Sequence, residues 1–341
     1  MFGPPMAFPP FTWRPVSRQS WGMRKMPIAL GLALAPMVAA GNDSVAMLTA
    51  GGLQLQQTDE VRIESEELTI SSERISVDYV FENISGANTR LSLAFPLPPV
   101  EARMVEGFDV ANRETPRFID FSTSVDGAPV EATEHVQIFA EDGRDVTDVF
   151  VQLNLPLTPF AEVLAPWNEI PEDIAVQLRR FGLLVPDEYG YDERRWTTHV
   201  SYLWELSIGV GQSVNVHHEY RPISGGYFPP YYEGEWSEDY EGFYRERYCA
   251  GDGEWQTLNR MAEAGPLVAY ETGYLLTPGA NWAGPIGHFR LTIDKGAAEN
   301  MVSLCWSDGI TKIAPTLFSF EAEDYTPHQD IDMIVIETVA D

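Results

Sequence analysis

The sequence predicts a mainly β fold, with two antiparallel β-sandwich domains of the immunoglobulin-like type and a small helical insert between them. Three observations support this prediction. Apolar and polar residues alternate with a period of two over many short segments, proline and glycine turns separate these segments, and one central stretch changes to helical spacing. With 341 residues, 44% of them hydrophobic, the chain is long enough for two domains and can bury a core.

The first predicted sandwich covers residues 41–142. Segments 74–84 and 91–95 alternate on either side of turn residues 85–88, which predicts a hairpin with one buried face. Asp126-Gly127 is a strong hairpin turn between two further strands. About seven short strands within roughly 100 residues are typical of an immunoglobulin-like sandwich, and a jelly roll is the open alternative.

Residues 143–192 are predicted to form the helical insert. Asp145–Asp148 suits a helix start, Thr158-Pro159 places proline at a first helical position, and Pro171–Asp173 opens a third helix. An apolar stripe follows at helical spacing, and Gly182 can end that helix. The stripe consists of Ile174, Leu178 and Phe181. We expect this insert to act as a packing brace, with a linker or a lid as alternatives.

The second predicted sandwich covers residues 193–341. Segments 198–206 and 214–220 alternate around a turn at 209–212, and two later strands flank Leu275–Leu291. Within that stretch, Thr277–Ala280 fits a type II turn with Gly279 at positive φ, and Gly284–Gly287 fits a type I turn.

Trp282 lies between these two turns. It is interpreted as a plug that fills the end of the second sandwich with its N–H bonded to backbone. A solvent-facing platform for a ligand is the alternative. His288 follows closely in the sequence, and we hypothesise that it lies beside Trp282.

The run from Leu276 to Leu291, with Pro-Gly-Ala-Asn-Trp-Ala-Gly-Pro-Ile-Gly-His-Phe-Arg inside it, resembles a bacterial secreted family known only as domain-of-unknown-function family 4424. Other stretches carry the same resemblance, which spans about residues 41–337. They are Asn42-Asp43-Ser44, Gly51-Gly52-Leu53, Ala94–Pro98, Gly143–Thr147 and Asp294-Lys295-Gly296. The resemblance implies a periplasmic or secreted β-rich protein, and it implies no activity or catalytic residue.

The N-terminal region predicts export. Met23–Met26 is a short basic start, Ile28–Met37 is apolar, and Val38-Ala39-Ala40 offers small residues for cleavage after Ala40. We interpret Met23 as the initiator and residues 1–22 as an upstream segment, with an unusually long signal peptide as the alternative. No later apolar run is long enough to span a bilayer, so the predicted location is periplasmic or secreted.

The chain is strongly acidic. Its formal net charge is −29, and four of its 22 basic residues but none of its 51 acids precede Gly41. A chain processed after Ala40 therefore has a net charge of −33, which disfavours binding to nucleic acids and to anionic membranes.

The two cysteines, Cys249 and Cys305, predict one disulfide, because an even count in an oxidising compartment usually pairs. The alternative is a pair of buried free thiols.

Residues 227–248 form a predicted aromatic-acidic loop with nine aromatics and six acids. Flat aromatic faces and carboxylates suit a glycan, a peptide or a partner protein, whereas a loop that packs its own aromatics is the structural alternative. The predicted contact residues are Tyr231, Tyr232, Trp236, Tyr240, Tyr244 and Trp282. Calcium binding by the acids of Glu233–Glu241 is a weaker hypothesis, since their spacing matches no calcium loop.

No catalytic residue is predicted. The sequence contains neither a Gly-x-Ser-x-Gly nor a His-Glu-x-x-His motif, and 51 acids make any carboxylate pair uninformative. His218 and His217 point to opposite faces of a strand, so we expect the first to be buried and hydrogen-bonded and the second to be exposed.

These observations predict an exported envelope protein that acts as a non-enzymatic binding or structural module by surface contact. Its partner would be another envelope protein or a glycan, and we expect no cofactor and no metal. The alternative is a carbohydrate-active enzyme or other hydrolase with an acidic cleft between the domains.

Overall fold

Antiparallel β-sheet dominates the fold, as the alternating pattern predicts. The computed structural model describes residues 42–49, 52–105, 108–115, 117–164, 170–187, 189–237 and 239–339. The predicted upstream segment and signal peptide, residues 1–40, lie outside the described residues. Within the described ranges no helix is both long and apolar enough to cross a membrane.

The strands and helices are named here in chain order. The strands are β1 (Ser44–Thr49), β2 (Gly52–Gln56), β3 (Val61–Ile70), β4 (Ile75–Asn83), β5 (Thr89–Pro96), β6 (Val100–Glu101), β7 (Phe108–Asp109), β8 (Ser122–Val125), β9 (Ala128–Val130), β10 (Thr133–Ala140), β11 (Leu184–Pro186), β12 (Asp192–Arg194), β13 (Trp196–Ile208), β14 (Ser213–Tyr220), β15 (Ser224–Tyr227), β16 (Tyr231–Tyr232), β17 (Glu235–Trp236), β18 (Leu267–Tyr274), β19 (Ile286–Asp294), β20 (Met301–Leu304), β21 (Thr311–Lys312), β22 (Leu317–Tyr325) and β23 (Ile331–Thr338). The helices are α1 (Thr147–Gln152), α2 (Glu172–Arg180), α3 (Tyr240–Tyr248) and α4 (Asp252–Ala264), with 3-10 turns at Ala102–Met104, Glu162–Leu164 and Thr277–Asn281.

Most of these strands belong to three sheets. The six-stranded sheet has the order β10-β13-β5-β1-β2, with β6 also paired to β13. The eight-stranded sheet has the order β21-β22-β19-β3-β4-β14-β8-β9, and the five-stranded sheet has the order β20-β23-β18-β15-β7. Two small hairpins, β11-β12 and β16-β17, stand apart.

This strand order differs from the predicted series of two sandwiches, residues 41–142 and 193–341. In the eight-stranded sheet β4 pairs with β14 and β3 pairs with β19, so strands from both predicted domains share one sheet. The β3–β19 pair is also parallel. Alternation in a sequence reports which side chains are buried, but it carries no information about which strands become neighbours.

Two of the predicted hairpins are connections between sheets instead. Strand β4 belongs to the eight-stranded sheet and β5 to the six-stranded sheet, and the same change of sheet occurs between β13 and β14. The two connections contact each other, since Asn83 N donates to Gln212 O at 3.0 Å and Val210 N donates to Asn88 Oδ1 at 3.1 Å. The Asp126-Gly127 hairpin is confirmed: it joins β8 and β9, with both residues at positive φ.

The segment predicted as a helical insert contains α1, the 3-10 turn at Glu162–Leu164 and α2, followed by the β11-β12 hairpin. Its apolar side chains form a small core with Trp196 at the start of β13. From the predicted stripe of α2, Leu178 is buried, whereas Phe181 is 40% exposed at the helix end. The predicted helix at Thr158-Pro159 is absent from this described segment, where the 3-10 turn begins at Glu162.

The five-stranded sheet is covered on both faces. Met333 and Val335 of β23 lie in the main core, which includes side chains from all three large sheets. Ile334 and Ile336 of the same strand pack with buried residues of α3 and α4. Double coverage explains why this strand has a continuous apolar run, and it makes α3 and α4 part of the protein's structural core.

Candidate functional site

The Trp282 segment folds differently from the two predicted turns. Residues Thr277–Asn281 form a 3-10 turn, and Gly279 is not among the described glycines with positive φ, so the type II prediction is wrong. Glycine is required there for space, because a Cβ atom on Gly279 would lie 2.5 Å from Asn42 Nδ2. The positive φ of this segment is at Gly284, at 79°.

Trp282 itself is a plug. The residue is 4% exposed, its ring lies 4.5 Å from that of Phe81, and its Nε1 donates to the main-chain oxygen of Asp43 at 2.8 Å. A tryptophan buried in this way cannot serve as a contact residue, so its place among the predicted contact residues is corrected. His288 bonds to Glu321 and Glu323, which face it across the β19–β22 pair.

Beneath Trp282 lies a buried polar cluster, formed by Asn42, Asp43, Glu66, Tyr79 and His218. Each of these residues is at most 1% exposed. Asn42 Nδ2 donates to both Glu66 carboxylate oxygens at 3.1 and 3.2 Å, and the Tyr79 hydroxyl donates to Asn42 Oδ1. His218 Nε2 contacts Asp43 Oδ2 at 2.6 Å, which confirms that His218 is buried and hydrogen-bonded.

Trp204 of β13 and Tyr274 of β18 complete this cluster. Trp204 Nε1 donates to Asp43 Oδ1 at 3.2 Å, and the hydroxyl oxygens of Tyr79 and Tyr274 are 3.3 Å apart. His217, on the opposite face of its strand, bonds to Asp78 at 2.7 Å with 41% of its side chain exposed. The predicted difference between the two histidines is therefore confirmed.

Glu66 faces the interior because of an irregularity in β3. The β3–β4 register shifts between Ile63 and Ser65, so that Glu66 falls on the same face as Leu68 and Ile70. Burial, opposed by the Asn42 amide and reinforced by the charge of Asp43, raises the pKa of Glu66 to about 8. The sequence contained a signal for this inward carboxyl. The apolar residues Val61 and Ile63 occupy odd positions, whereas Leu68 and Ile70 occupy even positions, so the inward face must change between them.

Residues that carry the family resemblance converge on this cluster. Asn42 and Asp43 belong to it, Ser44 pairs with Ala94 and accepts a hydrogen bond from Asn281, and the Phe95 ring lies 5.3 Å from that of His218. Full burial separates the cluster from solvent. These motifs therefore hold the N-terminal strand in the core rather than forming an accessible site.

The aromatic-acidic insert is folded rather than a loop. Glu233 and Gly234, both at positive φ, join β16 to β17 in a tight hairpin, and α3 follows from Tyr240. Trp236 Nε1 donates to Asn259 Oδ1 at 2.6 Å, and its ring stacks on Tyr240 at 5.1 Å. These contacts anchor the hairpin to α3 and α4.

The predicted contact residues in this insert are divided by burial. Tyr240 and Tyr244 are 7% and 0% exposed, so they belong to the core and are corrected as contact residues. Tyr231 and Trp236 are half-buried, whereas Tyr232 is 68% exposed. Tyrosines at 240, 244 and 248 follow helical spacing, and that signal could have identified α3 from the sequence.

We use the name aromatic hairpin surface for Phe228, Pro229, Tyr231, Tyr232 and Pro266. Phe228 is 70% exposed. These residues, together with Ala262, Gly265 and Leu267, line a groove of about 300 Å³ between the hairpin and the start of β18. Sequence reasoning missed Phe228, which precedes the predicted contact residues in the same segment.

The predicted disulfide is confirmed. Cys249 follows α3 and Cys305 follows β20, and the two Cα atoms are 4.9 Å apart. The bond therefore ties the helix of the insert to the edge strand of the five-stranded sheet.

No group of three or more histidine, cysteine, aspartate or glutamate side chains in the described parts of the chain could hold a metal ion. Among the acids proposed for calcium, Glu241 pairs with Arg245 at 2.8 Å. Glu233 and Glu235 point into solvent near the hairpin tip.

A second concave feature, here called the three-sheet cleft, has a volume of about 250 Å³. Its lining includes Pro98 and Pro99 after β5, Tyr220 of β14, and Thr272 of β18, so each large sheet contributes to it. Arg247, Glu271 and Asp332 lie together at this cleft. No sequence pattern indicates this arrangement, because its residues are separated by up to more than two hundred positions.

Comparison with solved structures gives distant similarities. A Legionella pneumophila protein described as a candidate nutrient binding protein is 13% identical, with a TM-score of 0.43, covering 87% of this chain and 71% of that one. Yeast LTA4 hydrolase is 10% identical, with a TM-score of 0.31, covering 89% of this chain and 31% of that one. An M1 zinc metallopeptidase from Deinococcus radiodurans is 9% identical, with a TM-score of 0.26, covering 82% of this chain and 43% of that one.

These similarities are too distant to carry an argument about fold or activity. No curated protein matches the chain. Residues 41–334, however, match the family described as "Domain of unknown function (DUF4424)". Since the match spans most of the sequence and confirms the resemblance of its motifs, the protein belongs to the DUF4424 family.

Proposed function

We propose that the protein is an exported, non-enzymatic binding module that contacts a partner protein of the cell envelope through its aromatic hairpin surface. The observation that carries the proposal is the exposure of Phe228 and Tyr232, at 70% and 68%, beside a groove. Large exposed aromatics on a concave, proline-flanked surface are typical of sites that bury apolar area on binding.

The rigidity of this surface supports recognition. The hairpin turn is tight, and Trp236 is fixed by Asn259 and by stacking on Tyr240, so the exposed rings project from an ordered base. A preorganised aromatic surface loses little conformational entropy when it binds.

The charge around the hairpin suggests the nature of the partner. Glu233 and Glu235 at its tip are exposed, and the processed chain has a net charge of −33. We therefore expect the partner to present apolar groups surrounded by lysine or arginine, since opposite charges accelerate encounter. Binding of a glycan to the same rings would be the other outcome of the test.

The test uses the mature protein, residues 41–341, as bait in native envelope extracts. Deleting the insert would remove core residues of α3, so the informative variant is Phe228→Ser with Tyr232→Ser. The matched control is Tyr189→Ser with Tyr191→Ser, because these tyrosines are 73% and 75% exposed on another hairpin. Partners retained by the wild type and the control but lost by the hairpin variant support the proposal.

Recovery of the same partners by all three proteins would remove the hairpin from any account of function. A glycan array, read with the same three proteins, separates carbohydrate binding from protein binding. Export itself is tested by cell fractionation and N-terminal sequencing, where we expect a mature protein that begins at Gly41.

The alternative, a hydrolase, has one observation in its favour. Glu271 and Asp332 both lie at the three-sheet cleft, and hydrolysis of glycosides uses two carboxylates. We place it second because both carboxylates lie within ion-pair distance of the same guanidinium, that of Arg247. Turnover of chromogenic glycosides by the wild type, abolished by Glu271→Gln, would reverse this order.

A further inference from the structure

The β1–β2 hairpin folds back over the six-stranded sheet. Three strands, β13, β5 and β1, separate β2 from β10 in the strand order, which in a flat sheet would place the two about 19 Å apart. Leu53 N of β2 nevertheless donates to Gln137 Oε1 of β10 at 3.3 Å. The hairpin therefore lies across the face of the sheet that carries Gln137. We use the name strap hairpin for β1 and β2 together.

Two histidines lie on the covered face. In the β10–β13 register His135 is opposite Ser201 and Gln137 is opposite His199, so these four side chains share one face. Ser201 and Gln137 are 7% and 9% exposed, and both histidines are half-buried. Among the described residues, the Nε2 atom of His135 is buried without a hydrogen-bond partner. The burial of these polar groups agrees with a face that the strap hairpin covers.

The covered face favours neutral imidazoles. Burial lowers the pKa of His135 and of His199 below the ordinary value. For His135, a hydrogen bond with Gln137 and the charge of Asp145 oppose this fall. Asp145 lies beyond Gln137, whose Nε2 donates to its carboxylate at 3.1 Å. Both histidines are therefore neutral at pH 7 while the hairpin is in place.

The other charged groups near this face already have partners. On β6, Glu101 bonds to Arg103 at 2.7 Å, and further along the face Glu205 of β13 bonds to Arg90 of β5 at 2.7 Å. The strap hairpin brings no charge of its own, since neither β1 nor β2 contains a charged residue. Protonated histidines beneath it would therefore find little compensation for their lost hydration.

The strap hairpin is anchored at its base and lightly held elsewhere. Asn281 fixes both ends, because its Nδ2 donates to Ser44 Oγ at 3.0 Å and its main-chain oxygen accepts from Thr58 N at 2.9 Å. Within the described residues, β1 pairs with β5 at two positions near this base. Further out, Met47 and Leu48 are 46% and 59% exposed. A hairpin with a fixed base and few contacts beyond it can lift as a unit.

We propose that the strap hairpin is a pH-sensitive strap, closed while His135 and His199 are neutral and lifted when both are protonated. Two cations on one covered face repel each other and lose hydration, and lifting the hairpin restores their contact with water. The closed state is fully populated above the ordinary histidine pKa of about 6.5 and is lost as the pH falls below it. Lifting exposes the half-buried side chains of Leu53 and Leu55.

This strap shares no residue with the aromatic hairpin surface, so it goes beyond the proposed function and can fail or succeed independently. The experiment is hydrogen exchange of the mature protein at pH 5 and pH 7.5, read by mass spectrometry and divided by the intrinsic rates at each pH. We expect peptides of residues 44–57 to exchange about tenfold faster at pH 5 after this correction. Peptides of β3 and β4, which belong to another sheet, should show no such increase.

Variants then assign the effect to the two histidines. In His135→Gln with His199→Gln neither side chain can be protonated, so exchange of the strap hairpin should no longer depend on pH. The matched control is His217→Gln with His288→Gln, because these histidines bond to Asp78 and Glu323 on the eight-stranded sheet. The control should open at pH 5 as the wild type does.

Three outcomes would overturn the proposal. Equal corrected exchange of residues 44–57 at both pH values would exclude a strap that opens with acid. Opening that persists in the His135→Gln, His199→Gln variant would assign it to other groups, and equal acceleration in all peptides would indicate global acid unfolding. Should that variant fail to fold, NMR titration of the wild-type histidines decides, because a pKa above 6.5 for both would contradict the argument.

Discussion

Glu66 gives the sharpest prediction about stability. Its side chain is fully buried, its two oxygens accept from the neutral amide of Asn42, and its pKa is raised from 4.5 to about 8. At neutral pH the folded protein therefore holds a proton on Glu66 that the unfolded chain releases. For an acid with a raised folded pKa, stability is fully present below pH 4.5 and is lost as the pH rises towards 8.

The size of this effect follows from the shift. Each pH unit between the two pKa values lowers the free energy of unfolding by about 1.4 kcal/mol, which amounts to about 5 kcal/mol over the whole window. In Glu66→Gln the side chain keeps its shape but cannot ionise. We therefore expect the variant to gain on the wild type by about 1.4 kcal/mol per pH unit from pH 5 to pH 8, with no further gain above that range.

The assay is urea unfolding of wild type and variant at pH 5, 6, 7, 8 and 9, with constant ionic strength and an intact disulfide. Taking the difference between the two proteins cancels the titration of all groups that do not interact with Glu66. The matched control is Glu67→Gln, the next residue on β3, whose side chain is 56% exposed on the opposite face. Parallel wild-type and Glu66→Gln curves across this range would refute the argument, because Glu66 would then be ionised in the folded state.

Three further predictions concern the Trp282 segment and the disulfide. Trp282→Phe should lower the free energy of unfolding by about 1–3 kcal/mol, because the buried carbonyl of Asp43 loses its hydrogen-bond donor. Trp306→Phe should cost less, because the indole N–H of Trp306 is buried without a partner among the described residues. Equal losses in the two variants would contradict this prediction. Gly279→Ala should lower the free energy of unfolding by about 1–3 kcal/mol, because the added methyl group overpacks against Asn42. Gly86→Ala, which has open space around it, should change that free energy by less than about 1 kcal/mol. Urea unfolding measures both, and neutral effects in both variants would contradict the argument. Reduction of the disulfide should cost about 4 kcal/mol, since it releases a closed loop of 56 residues, and an unchanged urea midpoint after reduction would disprove this.

Local patterns in the sequence predicted the features that depend on nearest neighbours. Period-two alternation identified β4, β13 and β14 as strands, and the pair of cysteines identified the disulfide. The strand phase also predicted that His218 faces inward and His217 outward. Each of these inferences needs the positions of residues along one segment and nothing about distant parts of the chain.

Pairing between strands needed information from far along the chain. Strand β3 pairs with β19, more than two hundred residues away, and that contact requires Gly287, where a Cβ atom would lie 2.6 Å from the main-chain oxygen of Glu64. An alternating segment can belong to either sheet of a layered fold. The pattern alone therefore could not show that β4 and β5 belong to different sheets. The prediction of two separate sandwiches was wrong for this reason.

The sequence by itself determined that this protein is β-rich, acidic and joined by one disulfide, and its motifs identified its family. The tertiary structure alone decided that the N-terminal Asn42 and Asp43 are buried beneath Trp282, that Glu66 shares their cluster, and that Arg247, Glu271 and Asp332 meet at a cleft. The physical reason is that composition and periodicity are properties of single segments. Burial of a charge and convergence of side chains depend on which segments the fold brings together.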